Sequence, residues 1–416
     1  MCYTIDHLVC VCQKRDQAMA GKSEAVKVTP AGRTKDQWRQ IFFDEIDANA
    51  AIFEKDAIEG DSLRRLPPAT LEVLRNSDLR LLKYPSDLGG AEADNALQFE
   101  VFERLAYHNA SASWCLFIYA DLIARIAAYL PQRGFSKVFD AGIPLICGGG
   151  GMILGNLTPA AGGYRVSGRW VYGSGIAGSN WVVLLAAQKD RPGPPEILSC
   201  VVPTAQVQVH DNWNVLGMRA SGSSDFSTEN VFVPEELTFR FNDPPFRGGA
   251  IFRLGMMGYV GHTVPATALG IARRALDEAT TIAKQKLRGY GKRTPLAHRG
   301  VFQAFLGESD LKLRAARAMM LENGVRIVAD AARMGTMKPE NEAEIRAAGC
   351  YATRIAVEIV DGAVRYIGGD AIRQGSRLEQ ALRDVHVANT HFFVSDSSIE
   401  SHAQFLLGID GADPMA

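Results

Sequence analysis

The chain has 416 residues, with 45 Lys and Arg against 46 Asp and Glu, a formal net charge of -1, and 47% hydrophobic and 22% charged residues. That is enough chain for two or three structural domains with a substantial core, and it has no basic excess of the kind that binds nucleic acid or an anionic membrane. No uninterrupted apolar run approaches the roughly 20 residues needed to span a bilayer, so a soluble cytoplasmic protein is expected, with small molecules and other protein chains as its partners.

Residues 1–33 are expected to form a flexible leader, with Met19 as an alternative start. Cys2, Cys10 and Cys12 cluster there, but Cys10-Val-Cys12 lacks the spacing of a zinc pair and no second pair follows, so no metal is expected. The other four cysteines, Cys115, Cys147, Cys200 and Cys350, stand singly in apolar surroundings, the usage of a reducing compartment.

From Lys35 to about Gln132 the apolar spacing is helical. Trp38, Ile41, Phe42, Ile46 and Ala50 make one stripe. Pro67-Pro68 open a second helix, and Lys83-Tyr-Pro-Ser-Asp-Leu-Gly-Gly90 forces a turn. Ser113 to Leu130 is very apolar yet carries Asp121 and Arg125, which reads as a buried helix. The glycine run Cys147-Gly-Gly-Gly-Gly151 is not followed by a helical pattern. It therefore reads as a crossing between two structural blocks and not as a phosphate loop.

Between Gly162 and Phe239, short runs rich in Val, Leu, Trp and Tyr alternate with Gly, Ser, Asn and Pro, the pattern of strands. Asn242-Asp-Pro-Pro-Phe-Arg-Gly-Gly249 marks a second boundary. Beyond it, Thr263 to Leu287, Val301 to Arg333, Asn341 to Ile367 and Leu378 to Leu407 read as four long helices with short breaks, an antiparallel bundle.

This layout resembles the acyl-CoA dehydrogenase fold. The residues that carry the resemblance are Ala363-Val-Arg-Tyr-Ile-Gly-Gly369 followed by Leu382-Arg383-Asp384, together with Asn230-Val-Phe-Val-Pro234 and Tyr84 to Gly90. The resemblance implies an N-terminal α-helical domain (34–145), a central β-barrel or sandwich domain (146–242), a C-terminal four-helix bundle (250–408), a tail (409–416) and a homotetramer. In that family a Gly-Gly turn approaches the flavin, an Arg-Asp opens the last helix, and a Glu about nine residues later commonly removes the substrate α proton. Here that stretch is Asn389-Thr-His391-Phe-Phe-Val-Ser-Asp, without a Glu, so the acyl-CoA dehydrogenase-like FAD oxidoreductase is the alternative reading.

Arg383-Asp-Val-His-Val-Ala-Asn-Thr-His391, Ser167-Gly-Arg-Trp170-Val-Tyr-Gly-Ser174-Gly and Trp213-Asn-Val-Leu-Gly-Met-Arg-Ala-Ser-Gly-Ser-Ser-Asp225 are similar to the oxygenase components of two-component flavin monooxygenases. Such enzymes take reduced FMN or FAD from a separate NAD(P)H-dependent flavin reductase. They add O2 at the flavin C4a position and hydroxylate a phenol- or indole-type substrate through the hydroperoxide.

By this resemblance Ser174 bonds the flavin near N5, and His391 lies near C4a, its imidazole near neutral pKa steadying the adduct or moving a proton. Trp213 packs beside the ring system, Asn156 and Thr158 touch its edge, and Gly368 and Gly369 approach it. Arg288 and Arg293, in a basic loop with Lys286 and Lys292, hold the phosphate. His108 is the candidate substrate base with Asp121 as its alternative. Several relatives carry a histidine a turn or two after Trp114, where this chain has Tyr119, Ala120, Asp121 and Leu122. His386 is expected on a different face from His391.

Overall fold

The computed structural model describes residues 32–150, 153–188, 195–240, 243–289 and 291–415. Met19 and the three N-terminal cysteines, with nearly all of the expected leader, lie outside the described residues.

Helix α1 (Lys35–Ala48) begins at a capping box. The Thr34 hydroxyl accepts the Gln37 N–H, and the Gln37 side chain takes the Thr34 N–H. It buries Trp38, Phe42 and Ile46, with the Trp38 and Phe42 rings stacked at 5.4 Å. The stripe ends one turn earlier than expected, because Asn49 breaks the helix and Ala50 already opens α2 (Ala50–Leu63). Next come α3 (Pro68–Asn76), with proline at its first position, α4 (Asn95–His108), α5 (Ala110–Tyr129) and α6 (Gln132–Phe139).

Asn109 caps α5 by accepting the Ala112 N–H at 2.9 Å. At 20 residues α5 is long and apolar enough to cross a membrane by length and composition, more so than its interruption by charges suggested. It is instead the helix around which the N-terminal half packs, with all but Trp114, Ile118 and Leu122 of its side chains buried.

The strands are β1 (Ile146–Gly148), β2 (Gly155–Ala160), β3 (Gly163–Gly173), β4 (Trp181–Ala187), β5 (Ile197–Pro203), β6 (Gln208–Val209), β7 (Ser224–Pro234) and β8 (Thr238–Phe239). They form one sheet in the order β6-β7-β3-β2-β4-β5-β8, with β1 also pairing with β4. β1 and β2 run parallel to β4 at successive places along it, β1 at Trp181–Val183 and β2 at Ala186–Ala187. The glycine run serves packing. A Cβ at Gly149 would sit 2.7 Å from Trp170 Cβ and one at Gly155 2.4 Å from its indole, so both positions stay bare to admit Trp170, which stacks on Phe226 at 5.7 Å.

The bundle comprises α7 (Gly255–Val260), α8 (Thr263–Gln285), α9 (Gly300–Met334) and α10 (Pro339–Ile367). A short hairpin, β9 (Leu287–Arg288) with β10 (Thr294–Pro295), joins α8 to α9. The expected last helix is two: α11 (Arg377–Ala388) and α12 (Ser397–Leu406), separated by one turn of 3-10 helix at Phe392–Val394. His391 therefore lies in a break between helices. Arg383 and Asp384 do not open α11 either; the helix starts at Arg377 and they are its seventh and eighth residues.

Candidate active site

Three elements converge on the indole of Trp114. The second irregularity between β3 and β7, between Trp170 and Gly173, ends the strand and sends the chain inward at Ser174. Tyr172 there takes a positive φ of 60°. Gly175 follows at φ +73°, where a Cβ would lie 2.4 Å from the Tyr119 hydroxyl; that hydroxyl instead donates to the Gly175 carbonyl at 2.6 Å.

Ser174, 4% exposed, accepts the Trp114 indole N–H at 3.1 Å. Its oxygen lies 2.7 Å from that of Ser223, which is 2.7 Å from that of Ser221. The Ser221 carbonyl accepts the Gly175 N–H at 2.8 Å, which pins the loop before β7 to the end of β3.

From the third side comes His391. Its ring meets Trp114 edge-on at 5.3 Å and packs against Phe392 at 5.0 Å and Phe393 at 4.5 Å. Nδ1 accepts the Phe393 backbone N–H at 3.3 Å, so the proton of the neutral ring belongs on Nε2. Burial pushes the imidazole pKa down to about 4. The expectation of a near-neutral pKa is thereby corrected: at pH 7 this histidine carries no charge and holds its proton on Nε2.

The loop before β7 is also held from α11. Asp384 is buried and accepts the Met218 N–H at 2.5 Å, and burial raises its carboxyl to about 7. Arg383 binds Asp61 at 2.9 and 3.2 Å and the Leu216 carbonyl at 2.9 Å. The Arg-Asp pair thus acts as a clamp between α2, α11 and the loop.

Gly368 and Gly369 follow α10 as expected, Gly368 at φ +72°. Arg288 lies against them and donates to the Ile367 carbonyl at 3.0 Å, while Lys286 pairs with Asp370. The structure thus brings Arg288, Gly368 and Gly369 together, in an open place where a Cβ on Gly369 would meet nothing within 4 Å. Arg293 is exposed just before β10. Trp213 packs edge-on to Tyr172 at 6.3 Å and points its N–H at the Met218 carbonyl, 3.4 Å away. Asn156 is half-buried and Thr158 exposed on β2.

Neither candidate substrate base is free. His108 Nδ1 lies 3.0 Å from Glu54, which also takes Arg274 at 2.8 Å. Asp121 has one oxygen on Lys83 at 3.0 Å and the other on Arg125 at 3.1 Å, so it is a structural counter-ion. His386 pairs with Asp361 at 2.9 Å on the surface.

Sequence reasoning used Trp114 only as a landmark and passed over Ser221 and Ser223. The available signal was a lone indole following the small residues Ala110-Ser-Ala-Ser113, where it has room to reach a neighbouring element.

Residues 262–396 match the model of the acyl-CoA dehydrogenase C-terminal domain. An indole-3-acetate monooxygenase of Pseudomonas putida is 25% identical over 84% of this chain and 89% of its own length. A pigment production hydroxylase of a Rhodococcus species is also 25% identical, over 91% and 99%. Other relatives are named as oxygenase subunits or components. Among solved structures, XiaF from a Streptomyces species, in complex with FADH2 and glycerol, superposes with a TM-score of 0.81 at 24% identity, covering 90% of this chain and 97% of that one.

The chain is a homologue of flavin-dependent oxygenase components. It has the acyl-CoA dehydrogenase fold. For an oxygenase component of this fold, the residues at Trp114 fit a flavin ring: a buried hydroxyl and a neutral imidazole N–H stand on one indole among aromatic side chains. Arg288 beside bare glycines fits its anionic tail.

Proposed function

We propose that this protein is the oxygenase component of a two-component system, a reduced-flavin-dependent monooxygenase of an aromatic or heteroaromatic small molecule. A separate flavin reductase supplies reduced FMN or FAD, and the working form is a homotetramer. The observation that carries the reading is that Ser174 and His391, far apart in sequence, both lie against a single indole.

Reduced flavin, when bound, supplies two electrons and reacts with dioxygen. The chain's own residues control water and protons around it. Ser174 and the Nε2–H of His391 offer hydrogen bonds beside apolar rings, Trp114 touches both, and Phe392 and Phe393 pack against the imidazole. A neutral donor suits this task because it steadies an oxygen atom without providing a strong acid.

His391→Ala and Ser174→Ala test the reading. With a flavin reductase, NADH and a turned-over aromatic substrate, each variant should fold and bind flavin. Each should raise the hydrogen peroxide released per product by tenfold or more. Unchanged coupling in both would remove the pair from the site.

A further inference from the structure

Helix α5 is buried on every face but one. Of its 20 residues only Trp114, Ile118 and Leu122 escape full burial, and they recur every four residues. That is the spacing of a single stripe along a helix. Its first member touches both Ser174 and His391, and its last, Leu122, lies against Gly148 of β1, where an added Cβ would come 3.1 Å from its methyl. The stripe therefore runs along the seam between helices and sheet, from the indole towards the glycine run. It presents an aromatic ring and two aliphatic chains and carries no group that accepts a proton.

The positions able to hold a base point elsewhere. Tyr119 is buried with its hydroxyl on the Gly175 carbonyl, and Asp121 is buried between Lys83 and Arg125. The groups recorded at Trp114 give hydrogens. The indole N–H is spent on Ser174, and His391 has its Nδ1 covered and its Nε2–H left. Ser174, Ser223 and Ser221 share three hydroxyl hydrogens between two mutual bonds, and all three residues are at least 95% buried. One hydrogen is left over. With Ser221 donating to Ser223 and Ser223 to Ser174, that hydrogen falls to Ser174, whereas the opposite order strands it at Ser221.

We infer that Ile118 and Leu122 form the substrate wall and that the enzyme oxygenates an electron-rich heteroarene of indole type, one that reacts without first losing a proton to the protein. This rests on the monooxygenase reading above and narrows its substrate class. The reaction balances as ring C–H, dioxygen and reduced flavin giving ring C–OH, water and oxidised flavin. A phenol is activated as its phenolate. With a pKa near about 10 it is ionised to roughly one part in a thousand at pH 7, and the wall supplies nothing to take the proton.

The test supplies reduced flavin through a reductase and compares indole and 3-methylindole with 4-methylphenol and resorcinol, for the wild type and for Ile118→His, which adds an imidazole one turn beyond Trp114. The wild type should oxygenate the indoles at a rate flat between pH 7 and 8.5. It should form at least tenfold less product from the phenols at pH 7, gaining about tenfold per pH unit as the phenol itself ionises. Ile118→His should raise the ratio of phenol product to indole product severalfold at pH 7. Should that variant fail to fold, the wild-type rates and their pH dependence decide alone. Phenols turned over as fast as indoles at pH 7 would overturn the inference while sparing the monooxygenase reading. A folded Ile118→His with an unchanged phenol-to-indole ratio would do the same. Product from neither class would overturn both.

Discussion

Helix α5 carries two polar constellations on different faces, and they obey opposite rules. On the face of Asp121 and Arg125 every charge is spent. Lys83, fully buried, sits 3.0 Å from Asp121, 2.9 Å from the Tyr259 carbonyl and 3.4 Å above the Tyr259 ring, and Arg125 lies 4.2 Å over the same ring. Burial still pushes the lysine pKa down to about 8 against the pull of Asp121. On the face of Trp114 the groups are neutral and two of them keep a hydrogen to give. The first arrangement fixes helix against helix; the second is built to receive something. A titratable residue near a site is therefore informative only once its partners are known. Asp121 looked like a base in the sequence because its buried partner Lys83 comes from elsewhere in the chain.

The largest effect that separates the two faces is on stability. Asp121→Asn leaves fully buried Lys83 without its counter-ion and should cost about 3–5 kcal/mol in urea unfolding, while flavin binding per folded molecule stays near wild type. A loss under about 1 kcal/mol would mean that this face is not charge-locked.

Asp384 sharpens the contrast as a buried carboxyl whose recorded contact is a backbone N–H. Its folded pKa, about 7, lies above the unfolded value near 4, so the folded state holds the extra proton between those values. Its contribution is full below about pH 4 and is lost as pH rises through 7, on the order of 4 kcal/mol. Asp384→Asn keeps an acceptor for Met218 and should flatten this part of the stability profile; an unchanged slope would assign it to another group.

His391 gives the opposite sign. Its folded pKa of about 4 lies below the ordinary 6.5, so it stays neutral as pH falls to about 5. The ratio of peroxide to product should be level from pH 5.5 to 8, and a break near pH 6.5 would show a solvated imidazole. Smallest is Trp114→Phe, which keeps the ring but removes the hydrogen given to Ser174. It should cost about 1 kcal/mol of stability and weaken flavin binding severalfold. Wild-type affinity would show that the indole does not set the site.

The order of helices, strands and helices was legible because periods of 3.6 and 2 residues survive in local sequence. Ser174 and His391, singled out through whole motifs, lie together against one indole in the structure. What stayed hidden depends on distance through space. The Ser174–Ser223–Ser221 row needs β3 and the loop before β7 side by side. The use of Gly149 and Gly155 is seen only when Trp170 fills the gap they leave. The break at residues 389–396 was missed because Phe392, Phe393 and Val394 continue an apolar pattern that a helix also satisfies. Resemblance gave Arg288 and the Gly368-Gly369 turn separate roles, and only the structure sets them side by side, whereas Arg293 stays apart.

The most direct test of the account is isotopic. The purified protein, loaded anaerobically with photoreduced FMN or FAD, is mixed with indole and buffer equilibrated with 18-oxygen gas, and the product is examined by mass spectrometry. The account predicts an oxygenated indole in which the new oxygen is the heavy isotope, formed only when the protein is present. Reoxidation that yields peroxide alone, together with bleaching of the oxidised flavin by an acyl-CoA thioester, would contradict it.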